Sequence, residues 1–506
     1  MVRGFLILDF GSQYTQVIAR RLRDLGYYSE ISAYDISVDE IKKKNPFGII
    51  LSGGPQSVYD ENSPRRDILE LGKLKPLLGI CYGFQMMVHQ TGGKVETSPY
   101  REYGRKVLNW KKKFRGGDLI QKVWMSHGDV ATHVPPEFQV LAETSHHPAV
   151  IQSDRMLGVQ FHPEVFHSER GEEIFHEFAE MCQAQPQWNA NSMLEEISQF
   201  VRSQVKEGEK VLCALSGGVD STVVATLLHK ILKPDQLQCV FVDTGLLRDR
   251  EAEEVMAAYS ELHLPVVKVD ASEVFLNALS GVTDPERKRK IIGQKFIEVF
   301  DQKVKELKTH FTWLAQGTLY PDVIESVSLH GTSVTIKSHH NVGGLPEKMH
   351  LKVLEPVRFL FKDEVRKIGD ELQVPHPILY RHPFPGPGLA IRILGAVNSE
   401  NLEILRKADR VFIDYLKENN LYSEIWQAFC VLLPVQSVGV QGDSRTYDSV
   451  LALRAVTSRD GMTADWYDFD LHHLREVSAR ITNQVKGINR ITYDVTSKPP
   501  ATIEWE

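Results

Sequence analysis

The sequence is poor in cysteine, and it lacks both a long apolar run and an excess of positive charge. Its five cysteines are scattered over 506 residues without CxxC spacing, so we expect neither a disulfide framework nor a structural zinc site, and a cytoplasmic location. The formal net charge of -7 argues against an extended nucleic-acid interface, which needs an excess of Lys and Arg. No apolar stretch approaches the ~18 residues that span a bilayer, and the amino terminus lacks the roughly 7–15-residue apolar core of a signal peptide. We therefore expect no nucleic-acid partner and no membrane association.

The length and the apolar pattern predict three domains, because a chain of 506 residues is too long for one hydrophobic core. Over residues 4–188, and again over 189–381, short apolar runs alternate with helix-like segments, as in doubly wound α/β domains. A polar stretch at 183–192 and the cluster HPFPGPG at 382–388 mark the boundaries. The expected fold class is α/β, with two doubly wound domains followed by a small α+β carboxy-terminal domain at 382–506.

A cysteine lies at the end of a predicted strand, in the segment PLLGICYGFQ. Gly79 and Gly83 flank Cys81 at a distance of two residues, as a tight strand-to-helix turn around an exposed nucleophile requires. The positive end of the following helix favours the thiolate. In GVQFHPEV, His162 and Glu164 are two residues apart in an extended run and therefore share a face. We predict that Cys81 is a nucleophile, His162 its base and Glu164 the group that orients the base.

Glycine backbone N–H groups complete this constellation. Gly54, in ILSGGPQS at the end of another predicted strand, and the N–H of Tyr82 are the candidates for an oxyanion hole. The alternative for a lone cysteine or histidine is a buried structural residue, but three strand-end motifs together favour a catalytic site.

The motifs GGP, GxCxGxQ and HPE resemble those of the class I (triad) glutamine amidotransferase family over about residues 4–188. The resemblance implies that Cys81 attacks the carboxamide of glutamine, that His162 transfers the proton and that ammonia leaves. The segment between Arg101 and Trp124 is shorter than the family pattern, which suggests that a surface hairpin is missing. The resemblance also implies a set of residues near bound glutamine: Gln85, Ser126, His127, Gly128 and Asp129.

The string SGGVDS at 216–221 follows an apolar strand and precedes a helix-like segment. Backbone N–H groups and a helix amino terminus form an anion cradle there, while the Lys of a Walker A loop is absent. The string resembles the signature of the N-type ATP pyrophosphatase family, which implies ATP as co-substrate and makes Asp220 a candidate Mg²⁺ ligand. Asp243 ends the next strand, where a doubly wound sheet places ligand contacts. The predicted ATP site contains Ser216, Gly217, Gly218, Val219, Asp220, Ser221, Thr222 and Asp243.

Two weaker patterns follow this loop. In DPERKRK, Arg287 lies on what is ordinarily a solvated helix face, but it is a candidate for a substrate phosphate. In IKSHHNVGG, the adjacent His339 and His340 are poorly placed for joint metal ligation. We expect this segment to be a lid over ATP, with Lys337 reaching a phosphate.

The strings PFPGPGLAIR, GVQGDSRTYDSVLALRAV and KPPATIEWE extend the resemblance over nearly the whole chain, to the GMP synthetase family. This implies that xanthosine monophosphate (XMP) is adenylated by ATP and aminated to GMP, and that the chain forms a homodimer through its carboxy-terminal domain. A tRNA-thiolating enzyme would need catalytic cysteines near the loop and a basic surface, and a glutamine sensor would be expected to lose part of one motif set. The residue match assigns XMP to Arg287, Gln436, Arg490, Lys498, Ile503 and Glu504.

Overall fold

The computed structural model describes residues 2–326, 351–441, 444–458, 461 and 463–506. They form two compact units. The first extends to Ile197 and includes a segment that begins at Tyr320. The second contains Ser198 to Leu319 and the described residues from 351 onward. The helix Ala190–Gln204 spans the division between them.

A mixed sheet organises the first unit. Within the described residues it has nine strands in the order β2-β1-β3-β4-β9-β8-β7-β5-β6. The first five in this order are parallel, whereas β8, β7, β5 and β6 pair antiparallel. The strands are β1 (Phe5–Asp9), β2 (Ser29–Ala33), β3 (Ile49–Leu51), β4 (Leu77–Ile80), β5 (Lys94–Trp110), β6 (Ile120–His133), β7 (Gln139–Glu143), β8 (Pro148–Gln152) and β9 (Met156–Val159).

The central strands β1, β3 and β4 are apolar on both faces, because helices cover both sides of a parallel sheet. The antiparallel half of the sheet is an addition to the doubly wound pattern. The connection between β5 and β6 is too short for a parallel crossover, so these two strands form a hairpin. The segment from Arg101 to Trp124 forms the outer part of that hairpin. The helices are Thr15–Asp24, Val38–Lys44, Ile68–Leu74, Tyr82–Gln90, Glu172–Met181 and Tyr320–Ser326.

A parallel sheet opens the second unit. Its five strands, counted over the residues described, run in the order β12-β11-β10-β13-β14. From β10 the chain first adds β11 and β12 on one side of this strand, and it then adds β13 and β14 on the other side. The topological switch point therefore lies between β10 and β13. The strands are β10 (Val211–Leu215), β11 (Leu237–Asp243), β12 (Val266–Asp270), β13 (Trp313–Ala315) and β14 (Lys352–Leu354).

The carboxy-terminal part of the second unit is an α+β arrangement. The long strands β15 (Gln427–Gln441) and β16 (Ser444–Thr457) pair antiparallel, and β17 (Asp465–Trp466) and β18 (Ile488–Tyr493) both pair with β16. One apolar cluster contains residues of the parallel sheet and of these elements. The helices of the second unit are Val219–Ile231, Glu251–Glu261, Ser272–Leu279, Pro285–Glu306, Lys362–Glu371, His376–Leu379, Ser399–Glu418 and Leu471–Gln484, with a 3₁₀ helix at Gly388–Arg392.

The predicted fold class is confirmed: two α/β sheets with parallel cores precede an α+β segment. Among the helices of the described residues, none combines the length and apolar character needed to span a bilayer.

Candidate active sites

Cys81 lies in a strained turn between β4 and the helix Tyr82–Gln90. Its φ of 52° and ψ of -102° are unusual for a residue with a side chain. A β-carbon on Gly83 would lie 2.5 Å from the carbonyl oxygen of Leu51, and one on Gly79 would lie 2.7 Å from the backbone of Gly83. Only glycine fits at these two positions, so the close approach of β3, β4 and the helix holds the thiol at the end of the sheet.

His162 and Glu164 lie directly after β9, the neighbour of β4. The imidazole Nδ1 is 2.7 Å from Glu164 Oε1, and both side chains are buried. Burial alone would lower the pKa of His162. The charge of Glu164 and the charge and hydrogen bond of Cys81 outweigh this effect and raise the pKa well above its usual value. The structure thus brings the predicted nucleophile, base and orienting carboxylate together.

The candidate oxyanion donors belong to adjacent strand ends. Leu51 of β3 is paired with Gly79 of β4, so the glycine turn after β3 lies beside the thiol turn. Neither the Gly54 nor the Tyr82 N–H donates a hydrogen bond within the described residues. Both donors are available to a ligand, as an oxyanion hole requires.

A cavity of about 470 Å³ opens over Cys81 and His162. Every residue predicted to lie near bound glutamine lines it, together with Gly54. Gln85 is almost fully buried and donates through Nε2 to the carbonyl oxygen of Asp129 at 2.7 Å, so it supports the cavity wall. The remaining lining residues are Gly11, Ser12, Gln13, Tyr14, Pro55, Gln56, Ser57 and Tyr103.

Sequence reasoning missed the loop after β1 and one buried glutamine. Ser12 and Tyr14 follow β1 at the same sheet edge as the predicted motifs, and the Tyr14 ring lies edge-on to His162, with centroids 5.0 Å apart. The same strand-end argument would have found this loop. Gln160 is buried and donates through Nε2 to Cys81 Sγ at 3.8 Å. Its position two residues before His162 was the available signal.

The SGGVDS loop follows β10 at the switch point of the second sheet. Gly217 has a φ of +74°, and Gly218 caps the helix Val219–Ile231. The hydroxyls of Ser216 and Ser221 are 3.2 Å apart, and Thr222 Oγ1 donates to the Gly218 carbonyl oxygen at 2.8 Å. The loop therefore presents backbone N–H groups, two hydroxyls and the positive end of a helix at one point.

Asp220 lies in the first turn of that helix. Its Oδ2 is 3.5 Å from Lys362 Nζ, whereas Oδ1 is buried and has no hydrogen-bond partner among the described residues. A β-carbon on Gly317, after β13, would lie 3.3 Å from Asp220 Cβ, so β13 approaches the loop closely. Asp243 pairs with Lys268 Nζ at 3.1 Å. The predicted lid and Lys337 lie outside the described residues.

The chain's final segment is bound to buried cations of the second unit. Arg392, which is fully buried, donates to both carboxylate oxygens of Glu504 at 3.2 and 2.9 Å. Lys288, also fully buried, donates to the Glu506 carboxylate and to the carbonyl oxygens of Ala390 and Ile393. Ile503 packs in a small apolar cluster under β15 and β16. The segment is thus an integral part of the unit.

The residues predicted to bind XMP fall into two groups. Gln436 and Arg490 lie beside the middle of β16, level with Ser449 and Val450. Lys498 pairs with Ala464 just beyond Thr457, the last residue of β16. The seven steps along the strand from Val450 to Thr457 span roughly 23 Å at ~3.3 Å per step. Ile503 and Glu504 are part of the same final segment as Lys498. Arg287 is exposed and precedes Lys288, which binds Glu506 of that segment.

Comparisons with known proteins match three families along the chain. Residues 6–182 match the family Glutamine amidotransferase class-I, residues 193–294 match NAD synthase, and residues 414–505 match GMP synthase C terminal domain. The protein named GMP synthase [glutamine-hydrolyzing] of Bdellovibrio bacteriovorus is 59% identical, with 100% of both chains covered. The protein of the same name from Aquifex aeolicus is 55% identical over 100% of this chain and 99% of its own. The chain belongs to the glutamine-hydrolysing GMP synthase family.

A third member of the GMP synthase family, from Bacillus subtilis, is 53% identical over 99% of this chain and 98% of its own length. The predicted resemblance is therefore confirmed for the whole chain, including the segment that contains β15 to β18.

Proposed function

We propose that this chain aminates XMP to GMP through an adenylated XMP, with glutamine as nitrogen donor and ATP cleaved to AMP and pyrophosphate. The observation that carries the proposal is the joint presence of two sites in a chain that matches GMP synthases along its length. One is a Cys81–His162–Glu164 cavity, and the other is the SGGVDS loop at a switch point. Free thiols at all five cysteines support a cytoplasmic location.

In the glutaminase cavity, His162 takes the proton of the Cys81 thiol, and the thiolate attacks the carboxamide carbon of glutamine. The Gly54 and Tyr82 N–H groups stabilise the oxyanion that forms. His162 then returns the proton to the leaving nitrogen, and ammonia departs. Water, activated by the same imidazole, hydrolyses the thioester to glutamate and frees the thiol.

At the SGGVDS loop, backbone N–H groups and the hydroxyls of Ser216 and Ser221 hold the β- and γ-phosphates of ATP. The 2-oxo oxygen of XMP attacks the α-phosphorus and pyrophosphate leaves. Ammonia then attacks C2, and AMP departs with the oxygen. The chain's part is to orient the phosphates and stabilise the charge of pyrophosphate.

The residues at the loop fit a Mg²⁺ ion bound together with ATP. Asp220 Oδ1 is buried without a hydrogen-bond partner in the described part of the chain, so a ligand would satisfy it. No cluster of three or more His, Cys, Asp or Glu that could hold a metal occurs within those residues. This suits Mg²⁺, which commonly binds through one or two carboxylates plus phosphate oxygens. The ion would neutralise charge on the leaving pyrophosphate.

The thiolating alternative is disfavoured by the cysteines near the loop. Cys213 and Cys239 are buried in β10 and β11, with 1% and 0% of their surfaces exposed. Product analysis tests the proposal directly. With ATP, Mg²⁺, glutamine and XMP, we expect GMP, AMP, pyrophosphate and glutamate in equal amounts. ADP and phosphate, or unchanged XMP, would contradict it.

Replacement of Cys81 by Ala is expected to abolish glutamine-dependent synthesis but to retain synthesis from ammonium salts, because only the nitrogen source needs the thiolate. GMP formation with each nitrogen source is the measurement. Cys182→Ala, at a half-buried cysteine outside the cavity, is the matched control and should behave like the parent. Glutamine-dependent synthesis by Cys81→Ala would refute the triad.

Replacement of Asp220 by Asn is expected to stop synthesis from glutamine and ammonia alike. The lost charge leaves Mg²⁺ and the departing pyrophosphate poorly held. Pyrophosphate release with XMP, ATP and ammonium salts measures this step. Asp235→Asn removes an exposed carboxylate of the same unit and should have no effect. Release by Asp220→Asn at the parental rate would show that the loop is not the ATP site.

Replacement of Lys498 by Ala is expected to raise the KM for XMP about ten- to hundredfold, as loss of a partly desolvated Lys–phosphate contact would. KM for ATP and basal glutamine hydrolysis should change little, and exposed Lys486→Ala should match the parent. Deletion of residues 498–506 should raise the KM for XMP further, because it leaves Lys288 and Arg392 buried without their carboxylates. An unchanged KM for XMP in both variants would exclude the tail from the acceptor site.

We also propose a homodimer built through the carboxy-terminal segment. The β15–β16 hairpin exposes Val438, Val440 and Tyr447 on one face, with 52%, 75% and 63% of their surfaces accessible. Gln436 lies in the same end of the hairpin, far from Lys498 in one chain. A second copy packed on this face would bring its own Gln436 and Arg490 to the first chain's tail.

Introduction of charge at this face, as Val438→Asp, is expected to weaken the dimer, because a carboxylate would be desolvated in an apolar interface. Sedimentation equilibrium should give a monomer for the variant and a dimer for the parent. Val495→Asp, at another exposed valine, serves as control. A parent that sediments as a monomer at all concentrations would overturn the proposal.

A further inference from the structure

A buried carboxylate and imidazole, Glu102 and His127, lie in contact behind the glutaminase cavity and take no part in the triad. Glu102 of β5 and His127 of β6 are directly opposite in the strand register. Glu102 Oε2 is 3.3 Å from His127 Nε2, and only 5% and 6% of the two residues are exposed. His127 lines the cavity, whereas Glu102 does not.

Each ring nitrogen of His127 has a polar neighbour at close range. Nδ1 is 3.0 Å from the carbonyl oxygen of Asp129, which can only accept. Nε2 faces the Glu102 carboxylate and, at 3.4 Å, the thioether of Met125. The carboxylate therefore fixes the ring in one orientation.

Glu102 is held ionised in this position. Burial raises the pKa of its carboxyl, but hydrogen bonds from His127 and Thr144 and the nearby charges of His127 and His147 outweigh that effect and lower the pKa. The pair is thus a charge-assisted contact between two strands.

The segment Ser126–Asp129 forms the cavity wall next to the nucleophile, and strand β5 holds both of its ends. Thr97 Oγ1 donates to Asp129 Oδ1 at 2.8 Å, and Glu102 binds His127. Between Thr97 and Glu102 the strand register is interrupted, opposite Gly128. The carbonyl oxygen of Ser126 is 3.9 Å from Cys81 Sγ, so a shift of this wall changes the space in front of the thiol.

We propose that Glu102 is a positioning residue for glutamine: through His127 it holds the Ser126–Asp129 wall against the substrate's amino-acid end. The wall contains Asp129, the only carboxylate that lines the cavity in the described part of the chain, and a carboxylate complements an α-ammonium group. Glu102 touches neither the thiol nor the base, so it governs glutamine recognition and leaves the thiolate chemistry intact. The inference rests on the glutaminase role proposed for this cavity.

Two reagents that modify Cys81 separate recognition from reactivity. A diazoketone analogue of glutamine must occupy the substrate position before it alkylates the thiol, whereas iodoacetamide needs only the accessible thiolate. The Glu102→Gln variant keeps the shape of the side chain but loses the charge. Its matched control is Glu96→Gln, at an exposed carboxylate of the same strand that binds Lys94 and Thr132.

In Glu102→Gln we expect the rate constant for Cys81 inactivation by the analogue to fall about ten- to hundredfold, as loss of a hydrogen bond to a charged group would cause. KM for glutamine should rise by a similar factor. The rate of alkylation by iodoacetamide, read by peptide mapping of Cys81, and synthesis from ammonium salts should stay at the parental level. Glu102→Asp, which keeps the charge, should recover part of the loss, and Glu96→Gln should match the parent throughout.

Parental rates with both reagents in Glu102→Gln would overturn the inference. An equal fall with both reagents would overturn it as well, because it would indicate general damage to the unit. Failure of the proposed function is a separate result. It would appear as glutamine-dependent synthesis that survives the Cys81→Ala change in a chain that keeps Glu102.

Discussion

The close approach of backbone to backbone at the carboxyl edges of the two parallel sheets is the constraint on which both sites depend. At the first edge, the carbonyl oxygen of Leu51 lies where a β-carbon of Gly83 would be, and this contact leaves Cys81 in its strained turn. At the second edge, Gly317 lies against Asp220. In both cases the missing side chain lets a strand end reach the start of a helix, where N–H groups stabilise negative charge. The proposed nucleophile and the proposed pyrophosphate loop thus depend on the same structural arrangement.

Buried charge is the second organising feature, and the structure pairs it consistently. His162 pairs with Glu164, and Glu102 pairs with His127; both histidines line one cavity. In the second unit, Arg392 and Lys288 bind carboxylates of the final segment, while Arg454 donates to the Thr496 carbonyl oxygen at 2.6 Å. An unpaired buried charge is costly, and such pairs define one arrangement of the chain more sharply than apolar packing does.

The sequence allowed the glycine turns, the SGGVDS loop and each part of the triad to be predicted because each is marked by residues close together in the chain, whereas the meeting of Cys81 with His162 follows from the shared edge of the sheet. Gly79, Cys81 and Gly83 encode the elbow within five positions. The pairing of His162 with Glu164 was predicted from the repeat of a strand, but that part of the prediction is wrong, because β9 ends at Val159 and both residues follow it. The loop at Ser12 follows β1 at the same sheet edge, so its place was predictable in principle, but no motif with a distinctive spacing marks its residues. Glu102 escaped because its pairing with His127 depends on the interrupted register of a hairpin.

The contacts of the final segment could not be predicted from a local pattern either, because they join residues that are far apart in the chain. Glu504 and Arg392 are 112 residues apart, and no local pattern indicates that they meet. The resemblance placed Glu504 near the nucleotide, and the structure gives its carboxylate two partners, Arg392 and Gln427. Whether it also reaches XMP stays a prediction, but its part in holding the tail is evident from these contacts.

The apolar cluster of the second unit links the unfolding of its two halves. Leu212 and Val240 of the parallel sheet share this cluster with Phe412 and Leu451 of the carboxy-terminal elements. Severing the chain near residue 382 would leave an apolar surface on each fragment. We therefore expect the parallel-sheet half and the carboxy-terminal half of this unit to unfold together. Heat or denaturant would then remove any function of either half at the same midpoint, independently of the first unit.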